Sequence, residues 1–180
     1  GVSCSDATPQ LLQFAELIGV PVVVTMTARG AIPESHPLFA GILDSRWGNR
    51  SASEALNQSD YVLGVGCRFS DTATQDWSLI DTSTTIVQVN IDPSEIARQY
   101  PVDIGLVADC KMFLIDAIET AKPLLAKSNS SQSKQRATIL NEALKKERKL
   151  WFDADLDAMP IKSRRLLKDI SDTIKEDTII

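Results

Sequence analysis

One short stretch of the sequence decides the fold, Tyr61-Val62-Leu63-Gly64-Val65-Gly66. It is apolar at almost every position, so it predicts a strand that is buried on both faces rather than on one. The two glycines near its carboxyl end indicate that a helix or a ligand approaches the backbone closely there. Such a strand is typical of a parallel sheet covered by helices on both sides.

Further strands and helices are predicted on either side of this stretch, in alternation. Strands are expected over residues 21–25, 85–91 and 104–107, and a loop rich in Gly and Pro from Thr27 to about Gly48. Helices are expected from Thr8-Pro9 to Gly19, from the capping box Ser51-Ala52-Ser53-Glu54 to about Asn57, over 93–96, and after the capping residue Asp109. This order predicts an α/β domain over residues 1–126, a Rossmann-like parallel β-sheet with helices on both faces.

The character of the sequence changes after residue 126. Residues 127–159 predict a polar linker followed by a basic helix from about Lys134 to Trp151, with a solvated face next to a domain boundary. Residues 160–180 predict the beginning of another domain, a helix over 161–174 and then a terminal run, Asp177-Thr178-Ile179-Ile180, typical of a buried strand. Because the sequence offers that strand no neighbours, we expect the chain to be part of a longer protein.

Composition excludes several classes of partner and site. A net charge of −5 over 180 residues argues against nucleic acid or an anionic membrane as the main partner. No apolar run approaches the roughly 20 residues that span a bilayer. Three widely spaced cysteines predict reduced thiols in a cytoplasmic protein. With a single histidine, His36, we expect no metal site and assign no catalytic residue.

Candidate binding residues follow the predicted strands, because ligands bind beyond the carboxyl ends of an open parallel sheet. They lie in the runs Thr25-Met26-Thr27, Gly66-Cys67-Arg68, Asn90-Ile91-Asp92 and Asp109-Cys110. Arg68 is suited to phosphate, and Asp92 can accept hydrogen bonds from ribose hydroxyls. The third glycine of a dinucleotide motif is replaced by Phe69. The residues therefore leave two interpretations open: a nucleotide site, or small residues that let helices pack on the sheet.

Four segments taken together resemble a known family. Residues 17–25, 29–37, 59–69 and 89–96 match, in order and spacing, the central domain of thiamine-diphosphate enzymes of the acetolactate synthase large-subunit type. The resemblance extends over residues 1–126 and identifies the fold as the FAD/NAD-binding type. Residues 160–167 resemble the helix that opens the C-terminal, diphosphate-binding domain of that family.

The resemblance implies a parent enzyme of three domains, a homodimer or tetramer, which decarboxylates a 2-keto acid and transfers the product to a second keto acid. Thiamine diphosphate and magnesium would be held by the N- and C-terminal domains, so this chain alone is expected to be inactive and those domains are its expected partners. In acetolactate synthases the central domain binds FAD. Carried over residue by residue, Thr25, Met26 and Thr27 would line the flavin site, Gly64, Cys67 and Arg68 would contact the nucleotide, Asn90, Ile91 and Asp92 the ribose, Asp109 and Cys110 the adenine end, and Gly1 would belong to the glycine loop after a first strand.

Two segments depart from the family pattern. The family's RFDDR appears as Arg68-Phe69-Ser70-Asp71-Thr72, and its MLGMHG as Ile42-Leu43-Asp44-Ser45-Arg46-Trp47-Gly48. Both segments touch FAD in the family, and other relatives bind ADP-like ligands or none. Two alternatives stay open: the structural central domain of another thiamine-diphosphate decarboxylase or lyase, and a stand-alone nucleotide-binding module.

Overall fold

The computed structural model describes residues 1–125, 131–154 and 156–174, with only the backbone for 131–134. The chain divides into two compact units, Gly1–Leu144 and Lys145–Ile180. The terminal strand expected at residues 177–180 and the beginning of the linker, 127–130, lie outside the described residues. The domain boundaries expected at 126 and 159 stay predictions.

Five short strands form parallel ladders. They are β1 (Val22–Thr25), β2 (Phe39–Leu43), β3 (Tyr61–Val65), β4 (Thr85–Asn90) and β5 (Ile104–Val107). β1 pairs with β2, whereas β3, β4 and β5 form a second sheet in that order. Every pairing is parallel; Gly64 lies opposite Gln88, and Val89 lies opposite Leu106. The predicted α/β class, with a parallel arrangement of strands, is confirmed.

The predicted helices form, except that a single 3₁₀ turn replaces the helix expected over 93–96, and one short helix at Asp71–Thr74 was not predicted. They are α1 (Thr8–Ile18), α2 (Arg50–Asn57), α3 (Asp71–Thr74), α4 (Cys110–Leu125), α5 (Ser131–Asp153) and α6 (Ser163–Thr173), with single 3₁₀ turns at Met26–Ala28 and Pro93–Glu95. α1 has Pro9 in its first turn and ends at Gly19, which adopts φ 70°. The Asp109 carboxylate accepts hydrogen bonds from the Lys111 and Met112 amides at 2.9 and 3.1 Å, so the predicted cap of α4 is confirmed.

Two local predictions are wrong, and two hydrogen bonds between the start of α2 and β2 account for them. Strand β2 lies inside the predicted loop, and all five of its residues are buried. The predicted capping box at the start of α2 does not form. The helix is preceded by Asn49, whose side-chain oxygen accepts the Ile42 amide at 2.9 Å. The Ser51 hydroxyl donates to the Ala40 carbonyl at 3.0 Å. The side chains of Asn49 and Ser51 therefore fasten β2 to α2.

Helices cover the strands on two sides, and each side has its own apolar core. One core gathers Val24 and Phe39 from the strands with Leu114 of α4, against which Leu11 and Phe14 of α1 pack. The other core is built from the following buried residues: Ala52, Leu56, Val62, Phe69, Ile86 and Tyr100. β2 and β4 are almost entirely buried, whereas β1 and β3 are only partly buried and β5 is exposed.

The first half of α5 belongs to the larger unit. Leu140 and Leu144 are buried, and the Asn141 amide nitrogen donates to the carbonyls of Phe39 at 2.8 Å and His36 at 3.2 Å. The larger unit therefore continues beyond α4.

The smaller unit carries the rest of α5 together with α6. Within it the Arg164 guanidinium lies 5.2 Å from the ring centroid of Trp151, a cation–π distance. Arg165 donates to both carboxylate oxygens of Asp169 at 2.9 Å and to the Leu156 carbonyl at 3.2 Å. The helix expected over 161–174 is confirmed as α6.

Candidate functional site

A small cleft, which we call the mouth cleft, lies where β3, β4 and the turn before α4 end. Its volume is about 120 Å³, and it is lined by Gly1, Cys4, Ser5, Gly66, Asn90, Ile91, Asp109 and Cys110. The structure therefore brings five of the predicted site residues together, Gly1, Asn90, Ile91, Asp109 and Cys110. These residues come from three separate parts of the chain and meet because parallel strands end at one edge of the sheet.

The first wall of the mouth cleft is the turn that begins at Gly1. The Ser5 amide donates to the Gly1 carbonyl, and the Ala7 amide donates to the Val2 carbonyl, both at 3.0 Å. In the described part of the chain, the amides of residues 2–4 have no acceptor. Successive unpaired amides in a turn suit an anion such as phosphate.

The second wall is the beginning of α4. The Oδ1 atom of Asp109 accepts both hydrogen bonds of the helix cap, and the predicted contact of this residue with adenine stays a prediction. Cys110 is buried, and burial raises the pKa of its thiol, with the neighbouring Asp109 charge acting in the same direction. Burial likewise raises the pKa of Cys67, against the opposing effect of the Phe69 amide, 3.4 Å from its sulfur. Both residues are therefore neutral thiols near pH 7.

The third wall follows β4. Ile91 is 66% exposed although it directly follows a buried strand, so it offers an apolar edge to a ligand. The Asn90 side-chain oxygen accepts the Asp92 amide at 3.1 Å. Asp92 accepts the hydroxyl and the amide of Ser94 at 2.7 and 2.9 Å, and these bonds lower the pKa of its carboxyl. Asp92 is consequently ionised and fixed in direction, although it does not line the mouth cleft itself.

The other predicted residues lie elsewhere. Thr25, Gly64 and Cys67 line a second, larger cleft, which Gly1 and Gly66 also touch. The Thr25 and Thr27 hydroxyls lie 3.2 Å apart at the end of β1. Four predicted residues, Met26, Thr27, Arg68 and Asp92, line neither cleft. Arg68 is exposed, and within the described ranges its guanidinium has no hydrogen-bond or ion-pair partner.

Gly64 is in contact with a side chain of this protein. A Cβ added to Gly64 would lie 2.5 Å from the tip of the Phe69 ring. Phe69 itself adopts φ 49°, and its ring packs edge-on against Tyr100 at 5.8 Å between centroids. Phe69 stands where a dinucleotide motif has its third glycine. Its ring therefore covers β3 at Gly64, the position of the first glycine of that motif. The predicted contact of Gly64 with a nucleotide stays a prediction.

Gln88 is a site-forming residue that the sequence analysis missed. It is almost fully buried in β4, and its amide nitrogen donates to the carbonyls of Cys67 at 3.0 Å and Glu95 at 2.9 Å. Its oxygen accepts the Ala97 amide at 2.9 Å. Gln88 thus holds together the two loops that carry Cys67 and Asp92. The available signal was a long polar side chain between the apolar residues Val87 and Val89 of β4.

Three further features concern metal ligands, the single histidine and membrane spans. No three His, Cys, Asp or Glu side chains there are grouped to hold a metal ion. The imidazole of His36 accepts the Leu38 amide through Nδ1 at 3.2 Å, so Nε2 carries a proton and donates to Glu16 at 3.1 Å. None of the described helices is both long and apolar enough to cross a membrane.

The mouth cleft is small. Pockets for whole small ligands measure about 300–1,000 Å³, whereas this cleft measures about 120 Å³. Ile91 lines it, whereas Asp92 and Arg68 do not.

Comparison with known proteins gives a family match. The family described as "Thiamine pyrophosphate enzyme, central domain" matches residues 1–117. The probable acetolactate synthase large subunit of Methanococcus aeolicus is 32% identical over 178 residues, and that of Methanocaldococcus jannaschii is 33% identical over 176. Glyoxylate carboligase of Escherichia coli O157:H7 is 30% identical over 177 residues. Each alignment covers 98% of this chain but 28–30% of the relative, so the chain spans less than a third of these proteins.

Proposed function

Because this chain belongs to the central-domain family of thiamine pyrophosphate enzymes, with relatives named acetolactate synthase and glyoxylate carboligase, we propose that it binds a nucleotide at the mouth cleft. The observation that carries the proposal is the convergence of Gly1, Asn90, Ile91 and Cys110 on one cleft at the carboxyl edge of the sheet. Ligands bind at that edge in open parallel sheets.

FAD is the nucleotide we propose, because the resemblance to acetolactate synthases implies it. Its adenosine end would occupy the mouth cleft against Ile91, with Asp92 accepting hydrogen bonds from the ribose. Arg68 and the free amides of residues 2–4 would hold the pyrophosphate. Thr25 and Thr27 would then orient the flavin ring, which supplies a planar aromatic system next to the end of β1. We assign no acid, base or nucleophile to this arrangement, so the proposed role of these residues is binding.

For the whole protein, we propose decarboxylation of a 2-keto acid followed by carboligation. The relatives that support this are named for synthase and carboligase activities, and this chain spans about 30% of their length. Thiamine diphosphate and magnesium would be held by N- and C-terminal domains outside this chain, in a cytoplasmic homodimer or tetramer. The chain alone would then be inactive.

A second candidate is a central domain that binds no nucleotide. Two contacts favour it. The Phe69 ring covers Gly64, and one carboxylate oxygen of Asp109 accepts the cap hydrogen bonds of α4. Both residues then serve packing rather than ligand binding, as in the structural domain of another thiamine-diphosphate decarboxylase or lyase.

Titration of the purified chain with FAD, ADP and NAD separates these candidates. Binding of FAD in calorimetry, or a retained visible flavin spectrum, supports the synthase-type domain. Arg68→Ala should weaken FAD binding by about 1–3 kcal/mol, the value of a hydrogen bond to a charged group. Arg165→Ala, which removes an arginine paired with Asp169 in the smaller unit, should leave the affinity unchanged. If no nucleotide gives heat, the nucleotide-free domain is the better description.

A further inference from the structure

Three consecutive residues between α3 and β4 lie in the left-handed region of the backbone. They are Gln75, Asp76 and Trp77, with φ of 51°, 54° and 60°. This region is disfavoured for residues other than glycine, which visit it singly rather than in runs. Strained residues persist only where the surrounding structure holds them, and they cluster at functional sites. A run of three therefore indicates that this turn has to place one of its side chains at a set position.

Hydrogen bonds fix this turn against two helices. The Gln75 side-chain nitrogen donates to the Ser53 hydroxyl of α2 at 3.0 Å, and the Asp76 amide donates to the Asp71 carbonyl of α3 at 2.9 Å. The Ser78 hydroxyl donates to the Gln75 carbonyl at 2.6 Å. The turn is thus tied to α2 and to α3, which sets the direction of its last side chain.

The side chain that the turn places is the indole of Trp77. Its Nε1–H donates to the Phe69 carbonyl at 3.2 Å. Trp77 is 45% exposed and belongs to neither of the two apolar cores described above. Burial of the ring in a core therefore does not explain the strained turn, and the hydrogen bond to Phe69 is the contact that the turn secures.

Phe69 is itself held in the left-handed region, at φ 49°. Its buried ring lies over Gly64 and packs edge-on against Tyr100. Its amide lies 3.4 Å from the Cys67 sulfur, and its carbonyl accepts the Trp77 indole. The ring, the amide and the carbonyl of Phe69 therefore all have partners within this protein.

Arg68 lies between two carbonyls that are held in this way. We call Cys67, Arg68 and Phe69 together the Arg68 loop. The Cys67 carbonyl accepts the Gln88 side chain at 3.0 Å, and the Phe69 carbonyl accepts the Trp77 indole. Arg68 is exposed, and its guanidinium has no partner among the described residues. An unpaired guanidinium thus extends from a backbone that is fixed on both sides, which suits the binding of phosphate.

We propose that Trp77 is a positioning residue for Arg68: its indole holds the Phe69 carbonyl and thereby fixes the Arg68 loop in the conformation that binds a pyrophosphate. Trp77 lines neither cleft, so it acts through the loop and not on the ligand. A loop that is ordered before binding loses less entropy when the ligand arrives. The effect on affinity rests on the proposed binding of FAD, whereas the hold on the loop does not.

The test is Trp77→Phe, which keeps an aromatic ring and removes the N–H donor. Calorimetric titration should show FAD binding weakened by about threefold to tenfold, the value of one hydrogen bond. Trp151→Phe is the matched control, because Trp151 is 44% exposed but lies in the smaller unit. It should leave the affinity unchanged. In a chain that already carries Arg68→Ala, Trp77→Phe should weaken FAD binding no further, because the two residues act as one unit.

NMR relaxation of the ligand-free proteins gives a second measurement that needs no ligand. Trp77→Phe should lower the order parameters of the Arg68 and Phe69 amides, and Trp151→Phe should not. Unchanged order at both amides overturns the proposal, and so does an equal loss of FAD affinity with and without Arg68. If the loop loosens but the unsubstituted chain binds no FAD, the proposed nucleotide function fails while the hold of Trp77 on the Arg68 loop is supported.

Discussion

Gly1 and Gly66 pack backbone against backbone at the mouth cleft. A Cβ on Gly1 would lie 2.4 Å from the Gly66 Cα, and a Cβ on Gly66 would lie 2.5 Å from the Gly1 Cα and 2.7 Å from the Cys110 sulfur. Real Cβ atoms do not approach other atoms so closely, because the repulsion is steep. This contact packs the first turn of the chain against the carboxyl end of β3 and the beginning of α4.

Gly66→Ala should therefore destabilise the protein strongly. Gly66 adopts φ +60°, where a side chain costs about 1–2 kcal/mol, and overpacking against Gly1 and Cys110 adds about 1–3 kcal/mol. Gly30→Ala is the matched control, because Gly30 also has positive φ (+86°) but open space around its Cβ position. Urea unfolding should show a larger loss for Gly66→Ala; equal losses would mean that the glycine contact contributes nothing.

The contact of Phe69 with Gly64 predicts that two substitutions are not additive. Gly64→Ala places a Cβ 2.5 Å from the Phe69 ring, and Phe69→Ala removes a buried ring at a cost of about 3–5 kcal/mol. In the double variant the added methyl group occupies space that the ring has vacated. The double variant should therefore be more stable than the sum of the two single changes predicts, by at least about 1 kcal/mol.

Denaturant titration of the four proteins of this cycle measures the coupling. Gly48→Ala, where the Cβ would meet the backbone of Asp44, can be combined with Phe69→Ala as a pair of changes at separate positions. That combination should be additive. Additivity at Gly64 as well would show that Phe69 does not cover this glycine in solution.

Much of the fold was predictable because burial on both faces leaves a clear mark on the sequence. Val62 and Ile86 lie in apolar runs that no surface strand carries, and Asp109 precedes a helix as a capping residue should. Strand β2 was not predicted because it is only five residues long and contains a glycine, Gly41, a residue type that favours turns. In the structure Gly41 adopts φ +119° within the strand. Its neighbours, Asn49 and Ser51, resemble helix caps in sequence although their side chains bond to β2.

The candidate site was only partly predictable, for a different reason. Position after a strand placed Asn90 and Cys110 at one cleft, since parallel strands end together, whereas Gly1 was assigned from the family resemblance alone. It did not separate residues that face the cleft from those, such as Met26, that follow a strand but line neither cleft. Nor did it reveal Gln88, because its three hydrogen-bond partners lie up to 21 positions away along the chain.

Gln88→Glu should destabilise the protein increasingly as pH rises. The new carboxylate would face the Cys67 and Glu95 carbonyls, which repel negative charge, in a position that is almost fully buried. The pKa of the introduced carboxyl group in the folded variant should therefore lie above the value of about 4.3 that glutamate has in an unfolded chain. Stability relative to the unsubstituted protein is then retained below that unfolded pKa and lost as pH rises through the folded pKa, by about 3 kcal/mol or more at pH 7.

Gln88→Met is the control for this prediction, because methionine has similar length and no charge. It should cost about 1–3 kcal/mol for the lost hydrogen bonds, with little dependence on pH between 4 and 7. Urea unfolding at several pH values distinguishes the two variants. Parallel pH profiles for both would mean that the side chain at position 88 is exposed to solvent.

Asp92 and Asp81 carry the same local hydrogen bonds, and this allows ligand binding to be separated from stability. Asp81 accepts the amide and hydroxyl of Ser83 at 2.8 and 2.6 Å, as Asp92 does from Ser94. In each case hydrogen bonds from the serine lower the pKa of the carboxyl in the folded state. Each carboxylate therefore contributes stability above the unfolded pKa of about 3.9, which is lost as pH falls through the lower folded value.

Asp92→Asn and Asp81→Asn should accordingly reduce the acid sensitivity of the fold to a similar extent, as measured by unfolding between pH 2 and 6. Only Asp92 follows β4 beside Ile91 at the mouth cleft, whereas Asp81 precedes β4, at the opposite end of that strand. FAD titration at pH 7 should therefore show weaker binding for Asp92→Asn, by about threefold or more for a lost hydrogen bond to ribose, and unchanged binding for Asp81→Asn. Equal FAD affinity in the two variants would remove Asp92 from the ribose contact and leave it as a turn-stabilising residue alone.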